Sequence, residues 1–138
     1  MLDEILTRDF DEHTTNGHRV FNYSDLTSGN AFGPDGTSEV ISSVDSSRTD
    51  DFLSKARFDD VDDYNGYRRM AWNSRLGWFP VSVSVKYVSE TDPNTESIPR
   101  TYYKRITVVV THPNMMTDQN GNVVPLTMQD LSIYRRYF

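Results

Sequence analysis

The segment that decides the fold of this chain reads Pro80-Val81-Ser82-Val83-Ser84-Val85-Lys86-Tyr87-Val88. Polar and apolar side chains alternate along it, with three valines and a tyrosine at the odd-numbered positions. Successive side chains of a β-strand point to opposite faces of the sheet, so this period of two indicates a half-buried strand. We therefore predict that Val81, Val83 and Val85 face the core.

A second strand is predicted over Tyr102–Thr111, after a polar turn at Thr91–Glu96. Ile106, Val108 and Val110 form one alternating set, whereas the flank on the opposite side offers a single valine as its apolar member. The two segments read as an antiparallel hairpin with a long connection. We expect the first set to face the same core as the valines of the first strand.

Further strands are predicted toward the C-terminus. The dipeptide Asn120-Gly121 is a strong hairpin signal, and its arms would be Met115–Thr117 and Val123–Leu126. The tail Leu131–Phe138 alternates loosely and predicts a last strand.

A helix is predicted at the start of the chain, over Met1–Glu12, with a stop at Asn16-Gly17. One helical stripe carries its apolar side chains, which are Leu2, Ile5, Leu6 and Phe10. A helix this short is marginal on its own in water, so it must pack on something or continue a longer helix upstream. We expect the stripe to cover the apolar face of the sheet.

Small polar side chains dominate residues 22–50, and we predict a loop-rich region over residues 16–77. Short helices are predicted near Ser38–Val44 and at Asp50–Ala56, the second capped by Thr49 or Asp50.

This order of elements predicts an α+β fold with a helix packed on an antiparallel sheet and long loops. The 138 residues fit a single domain, 1–138. Its parts are a helical segment at 1–15, the loop-rich region at 16–77 and the sheet at 78–138.

Composition excludes several classes of function. The net charge of −6 repels phosphate backbones, so we expect no nucleic acid as a partner. The absence of cysteine removes disulfides, thiolate metal sites and cysteine nucleophiles. No motif predicts a cofactor.

The densest acidic cluster runs from Asp59 to Gly66. Calcium prefers several oxygen ligands on a flexible loop, and the candidate ligands are Asp59, Asp60, Asp62, Asp63 and Asn65. With Gly66 as the sixth position of an EF-hand loop, Val61 falls where the first aspartate must lie, so this is not an EF-hand. The alternative interpretation is a solvated acidic turn that caps a short helix.

Known catalytic patterns do not fit the chain. His13 and His18 are five residues apart, which misses the spacing of two metal ligands on one helical face, and His112 is distant from both. No serine lies in a nucleophile elbow, and no glycine-rich loop matches a phosphate cradle. We expect no catalytic residues and no enzymatic activity.

Aromatic and arginine side chains are interleaved after the acidic cluster. If exposed, they would form an interaction surface, and its candidate residues are Tyr64, Tyr67, Arg68, Arg69 and Trp72. We expect Trp78 and Phe79 to be buried, and the sequence leaves the exposure of Tyr67 and Trp72 open.

Three stretches together resemble the minor pilin-like proteins of the type IV pilin class, of the MSHA pilus biogenesis type. The opening Leu2–Glu12 is similar to the segment that follows the hydrophobic stem, Phe58–Tyr67 resembles a central motif, and Lys104–Thr111 is similar to the strand that follows it. The resemblance implies a long N-terminal helix that anchors in the inner membrane and packs in a fibre core. The cleavage signal and the stem that the family carries upstream are absent from this sequence.

The resemblance implies a structural or assembly-initiating subunit of a type IV pilus or a type II secretion pseudopilus. Its partners would be other pilin or pseudopilin subunits, bound through the missing helix, and the head would be extracytoplasmic. The alternative is a cell-surface module that binds a glycan or calcium through residues 59–79.

Overall fold

A four-stranded antiparallel sheet lies at the centre of the computed structural model, which describes residues 1–41 and 52–135. Neighbouring strands follow each other along the chain, in the order β1-β2-β3-β4. The strands are β1 (Arg68–Asn73), β2 (Gly77–Tyr87), β3 (Tyr103–Val110) and β4 (Leu126–Ile133). The short helices and loops together with this sheet make an α+β fold.

The predicted phase of the two central strands is confirmed. Val83 pairs with Val108, and Val85 pairs with Ile106, so the four side chains share one face. All four are buried, with exposed fractions between 0% and 4%, and Val81 is buried beside them. The alternation of the sequence therefore identifies the core face correctly.

Strand β1 lies within residues 16–77, which are predicted to be loop-rich. It forms a hairpin with the first half of β2, where Arg69 pairs with Val81 and Trp72 pairs with Trp78. The sequence of this strand does not show apolar alternation, because one of its core-facing residues is Arg69. This arginine is nevertheless buried.

The predicted C-terminal hairpin is reduced to a single bridge between Thr117 and Val123. The Asn-Gly turn forms as expected: Gly121 has a φ of +81° and the Asp118 carboxylate accepts the amides of Asn120 and Asn122. The last strand starts five residues before the predicted Leu131 and pairs with β3, and residues 136–138 lie outside the described ranges.

The predicted helix over Met1–Glu12 is wrong in its length. Helix α1 spans Leu2–Leu6, and the Thr7 hydroxyl donates to the Glu4 carbonyl at 2.7 Å where the next turn would begin. The backbone of Asp9 then pairs with the acidic segment, accepting the Val61 amide at 2.9 Å. This long-range pairing requires an extended chain and excludes a continuous helix.

The apolar side chains predicted for that helix therefore lie in different environments. Ile5 is fully buried in the main core, Leu2 is half-buried against it and Leu6 is 38% exposed. Phe10 packs in a second cluster with Val20, Leu26 and Tyr87.

The cover of the sheet comes mostly from residues 58–67 rather than from the N-terminal helix. Phe58, Val61, Tyr64 and Tyr67 are buried in the main core with Ile5 and the strand residues. The ring of Phe58 contacts both tyrosine rings edge-on, with centroids 4.8 and 5.2 Å away. The cover is therefore a largely irregular, aromatic segment whose buried side chains recur at every third residue around one short 3₁₀ turn.

Short helical turns connect these parts. Helix α2 spans Phe52–Arg57, close to the predicted Asp50–Ala56, while Thr49 and Asp50 lie outside the described residues. Ser38–Ile41 is not helical, and the rest of that predicted helix lies outside the described ranges. The 3₁₀ turns are Glu12–Gly17, Tyr23–Asp25, Gly29–Ala31 and Asp62–Tyr64.

The two ends of the chain meet at the second cluster. The Val20 amide donates to the Tyr134 hydroxyl at 2.9 Å, and the rings of Phe10 and Tyr134 lie 5.6 Å apart. The N-terminal segment is thereby fixed at the C-terminal end of β4.

Val83→Asp should unfold the domain, because it places an unpaired charge at a position with 4% exposure and costs several kcal/mol. Ser84→Asp, on the opposite face of the same strand, should change the melting temperature by little. The measurement is thermal unfolding followed by circular dichroism, and equal losses in both variants would contradict the assigned face.

Candidate functional site

A lysine lies in the core of this domain. Lys104 is on β3, two residues before Ile106, and its side chain is fully buried on the core-facing side of the sheet. The alternation that places Ile106 and Val108 inward also places Lys104 inward. The alternation of the predicted strand is therefore a sequence signal for this buried lysine, which is not among the predicted site residues.

The Lys104 ammonium contacts two carboxylates and one carbonyl. Its Nζ donates to the Phe10 carbonyl at 2.7 Å and to Asp11 Oδ2 at 2.9 Å, and it also contacts Asp62 Oδ1. The Asp11 and Asp62 side chains are 0% and 4% exposed. Because a buried ion is costly unless it is paired and hydrogen-bonded, these three contacts make the buried position tolerable.

Aromatic rings close the remaining sides of the ammonium. The ring centroids of Phe10, Phe32 and Tyr87 lie 4.2, 4.9 and 5.3 Å from Lys104 Nζ. A cation over an aromatic face is attracted by the ring quadrupole, and the attraction is stronger where water is excluded. The lysine thus lies between an acidic side and an aromatic side.

Asp11 is the most heavily hydrogen-bonded carboxylate of the site. It accepts the Thr27 amide at 3.0 and 3.1 Å, the Thr27 hydroxyl at 3.0 Å and the His13 amide at 3.2 Å. Burial raises the pKa of Asp11, but the Lys104 charge and these hydrogen bonds outweigh it and lower the pKa to about 2. Asp11 is therefore a fixed anion at neutral pH.

Asp62 has a different environment. Burial raises its pKa to about 7, with the Lys104 charge acting in the opposite direction. Its Oδ2 atom is buried and has no hydrogen-bond partner among residues 1–41 and 52–135. A carboxylate oxygen without a partner disfavours the ionised form, so the geometry and the pKa direction agree.

The rest of the acidic segment forms a compact turn. Asp60 Oδ1 accepts the amides of Asp62 and Asp63 at 2.6 and 3.1 Å, and Asp63 Oδ2 accepts the Asp59 amide at 3.0 Å. Burial first, and then the charges of Asp62 and Asp63, raise the pKa of Asp60 to about 9. Burial also raises the pKa of Asp63 to about 7.

The structure assigns the five calcium candidates to different neighbourhoods. Asp62 contacts Lys104, and Asn65 Oδ1 accepts the Val85 amide at 3.0 Å. Asp59 and Asp60 approach Glu12, with one oxygen of each carboxyl group within 4.8 Å of the others. Asp63 approaches a separate pair in the same way, which is Asp35 and Glu39. The five candidate ligands therefore do not converge on one point.

The proposed aromatic surface is mostly interior. Tyr64, Tyr67 and Arg69 are buried, with exposed fractions of 0%, 7% and 7%, which corrects the expectation that they lie on a shared surface. Arg68 and Trp72 are exposed. Both are on the face of the sheet opposite the core, because they pair with Ser82 and Trp78 rather than with a core-facing residue of β2.

Exposed tryptophans lie at the end of the β1–β2 hairpin. Trp78, expected to be buried, is 48% exposed, and its ring lies 5.1 Å from that of Trp72, which is 61% exposed. Leu76 in the connecting turn is 54% exposed. Phe79 is half-buried and contacts His112 edge-on at 5.6 Å.

A second polar group links helix α1 to the cover. Glu4 accepts the Tyr64 hydroxyl at 2.9 Å, contacts the Ser54 hydroxyl, and lies 3.6 Å from Arg69 Nη1. The arrangement is structural: each contact joins α1 to a different part of the chain.

The histidines do not converge. His13 contacts Asp11 through Nδ1 at 3.2 Å, and His112 Nε2 lies 2.7 Å from the Leu76 carbonyl. Because His112 Nδ1 accepts the Asn114 amide at 3.1 Å, its Nε2 carries the proton and donates to Leu76.

Comparison with protein-family models, curated proteins and solved structures finds no match for this chain. None of the helices in residues 1–41 and 52–135 has the length and apolar character that a membrane crossing requires.

Asp60→Asn should raise the melting temperature more at about pH 8 than at about pH 5. Folded Asp60 holds its proton up to about pH 9, whereas the unfolded side chain loses it near pH 3.8, so the folded state binds more protons in between. Wild-type stability consequently falls as the pH rises through this window. Asparagine keeps the accepting oxygen and is neutral without binding a proton. The difference in melting temperature between the variant and the wild type should therefore grow as the pH rises.

The control for this prediction is Asp92→Asn. The pKa of Asp92 is lowered by the Thr95 hydroxyl and the Asn94 amide, so its carboxylate is ionised in both states over the same window. Its substitution should shift the melting temperature equally at both pH values. A pH-independent loss of stability in Asp60→Asn would show that this carboxyl group is ionised in the folded chain.

Proposed function

We propose that this chain is the head of a pilin-like protein, a non-catalytic structural or assembly-initiating subunit of a type IV pilus or a type II secretion pseudopilus. The observation that supports the proposal is the packing of Ile5. The Ile5 side chain extends from the N-terminal helix to the valine face of the antiparallel sheet, and it is fully buried there.

The geometry of α1 is compatible with an upstream stem. The Ile5 amide donates to the Met1 carbonyl at 3.0 Å, so the helical hydrogen bonds begin at the first residue. The head is held to this helix by Ile5 in the core and by the Glu4 contacts with Tyr64 and Arg69. In the proposed protein an upstream helix would anchor in the inner membrane and bind other subunits.

The polar groups of the interior support a structural role over a catalytic one. Lys104, Asp11 and Asp62 are within the core and contact each other rather than an open cleft. Substrates reach catalytic groups through concave, accessible sites. The buried charges instead connect β3 to the N-terminal and acidic segments.

The test uses the full-length gene in its native host. We expect a short basic leader and about 20 apolar residues directly upstream of Leu2, because a spanning helix needs that length. Antibodies against the head should detect the protein in the inner membrane and in sheared surface filaments. A version without the apolar helix should be missing from both fractions.

Two results would overturn the filament proposal: a native start at Met1, or a soluble domain directly upstream. A head that is absent from filaments while the other subunits assemble normally in a deletion strain would argue against an assembly role.

A glycan-binding role is a second candidate, favoured by the exposed pair Trp72 and Trp78. Monomeric proteins rarely leave large apolar groups clustered on their surface without a binding partner. The two rings lie side by side across a hairpin whose backbone is fixed by strand pairing. A rigid, exposed aromatic platform can stack against the apolar face of a sugar ring.

Trp72→Ala should abolish binding in an oligosaccharide screen while the melting temperature stays within a few degrees of the wild type. The chain has two tryptophans, both in this hairpin, so changes in tryptophan fluorescence report on this surface alone. Ile98→Ala is the matched control, since Ile98 is 98% exposed in a different loop. Unchanged fluorescence across the screen would reject the glycan role.

A further inference from the structure

Lys104 and Asp62 bring an amine and a carboxyl group into direct contact in the interior of the domain. They are 42 residues apart in the chain, and their side chains are 0% and 4% exposed. The rings of Phe10, Phe32 and Tyr87 surround the nitrogen. Because the two groups are held together by the fold, a reaction between them needs no encounter and has a high effective concentration.

The state of Asp62 suits it to be the electrophile of such a reaction. Its Oδ1 contacts Lys104, whereas its buried Oδ2 has no hydrogen-bond partner in the part of the chain that the structure describes. Burial raises the pKa of Asp62 to about 7, which favours the carboxylic acid over the unreactive carboxylate. An amine attacks a carboxylic acid at its carbon, and the oxygen that leaves is then the unpartnered one.

We propose that Lys104 Nζ and Asp62 Cγ condense to form an intramolecular amide, which links β3 covalently to the 3₁₀ turn at Asp62–Tyr64. The new bond is N–C and the broken bond is the C–O bond to Oδ2. The ammonium and the acid together hold four hydrogens. One remains on the amide nitrogen, two leave with Oδ2 as water, and one passes to Asp11.

Asp11 is placed to accept that hydrogen. Its Oδ2 lies 2.9 Å from Lys104 Nζ, and the Thr27 amide and hydroxyl hold the carboxylate in position. The Lys104 charge is the largest influence that lowers the pKa of Asp11, and that charge disappears as the proton moves. His13 Nδ1, on a side chain that is 60% exposed, lies 3.2 Å from Asp11 Oδ1 and connects it to solvent.

The surroundings favour the amide over the ion pair. The Lys104 ammonium and the Asp11 carboxylate lose their hydration in the interior, and the reaction leaves a neutral amide and a neutral carboxylic acid in their place. The link is independent of the filament proposal, because it depends on the interior of the head alone.

The intact mass of the folded, purified 138-residue chain tests the proposal directly. We expect the wild type to be lighter than its sequence by one water molecule, and Lys104→Arg and Asp62→Ala to have their full sequence masses. Trypsin should release residues 58–68 joined to residues 101–105 from the wild type, because acylated Lys104 is not cleaved.

A wild-type chain that is folded and keeps its full mass after prolonged incubation between about pH 5 and pH 8 would overturn the proposal. So would a loss of water that maps to the Asp35-Gly36 dipeptide, where a succinimide has the same mass change. Both results come from the wild type, so they hold even if a variant fails to fold.

The Asp11→Asn variant tests the proton acceptor separately. Asparagine keeps the accepting oxygen for Thr27 but takes no proton from Lys104, so the link should form at least tenfold more slowly, as expected when a general base is removed. Circular dichroism confirms that the variant is folded. Formation at the wild-type rate would remove Asp11 from the reaction.

Discussion

The buried ammonium of Lys104 is the interaction on which the rest of the structure depends. It joins three segments that are distant in sequence: strand β3, the extended chain at Phe10 and Asp11, and the turn that carries Asp62. A buried cation that loses one partner is strongly destabilising, so all three segments must be in place together. The apolar core accepts the charge because the carboxylates and rings surround it completely. The irregular segments that cover the sheet are therefore fixed in position by a polar contact as well as by packing.

The central strands could be predicted from the sequence because their signal is local. Alternation along residues 80–88 depends on the sheet having one buried face, and it places Val83 and Val108 on that same face. The N-terminal helix could not be predicted in the same way. Its apolar spacing fits a helix, but the backbone of Asp9 pairs with Val61, some fifty residues away, and ends the helix early. Local propensity is a weak guide where a distant strand-like contact competes with it.

The candidate site likewise combines features that local sequence predicts with features that depend on distant contacts. The acidic segment stood out in the sequence, yet its role depended on which partners the fold would bring to it. Asp62 contacts a lysine from β3, and Asp63 accepts the amides of Asp59 and Asp60. Lys104 itself was visible as an inward position of a predicted strand, and lysines are rarely fully buried unless they are paired. Trp78 is at an even-numbered position of β2, out of phase with Val81, Val83 and Val85, so the alternation places it outward once the strand is extended back to Gly77.

The contact between the chain ends has a consequence for biosynthesis. The Val20 amide binds the hydroxyl of Tyr134, 114 residues further along the chain, and the ring of Phe10 packs on that same tyrosine. A ribosome therefore releases the N-terminal segment long before it releases the partner that holds this segment. The domain cannot close until β4 and Tyr134 have emerged, and the nascent polypeptide lacks these contacts until then. Over that interval the N-terminal segment is accessible to chaperones and to any translocation machinery that requires unfolded substrates.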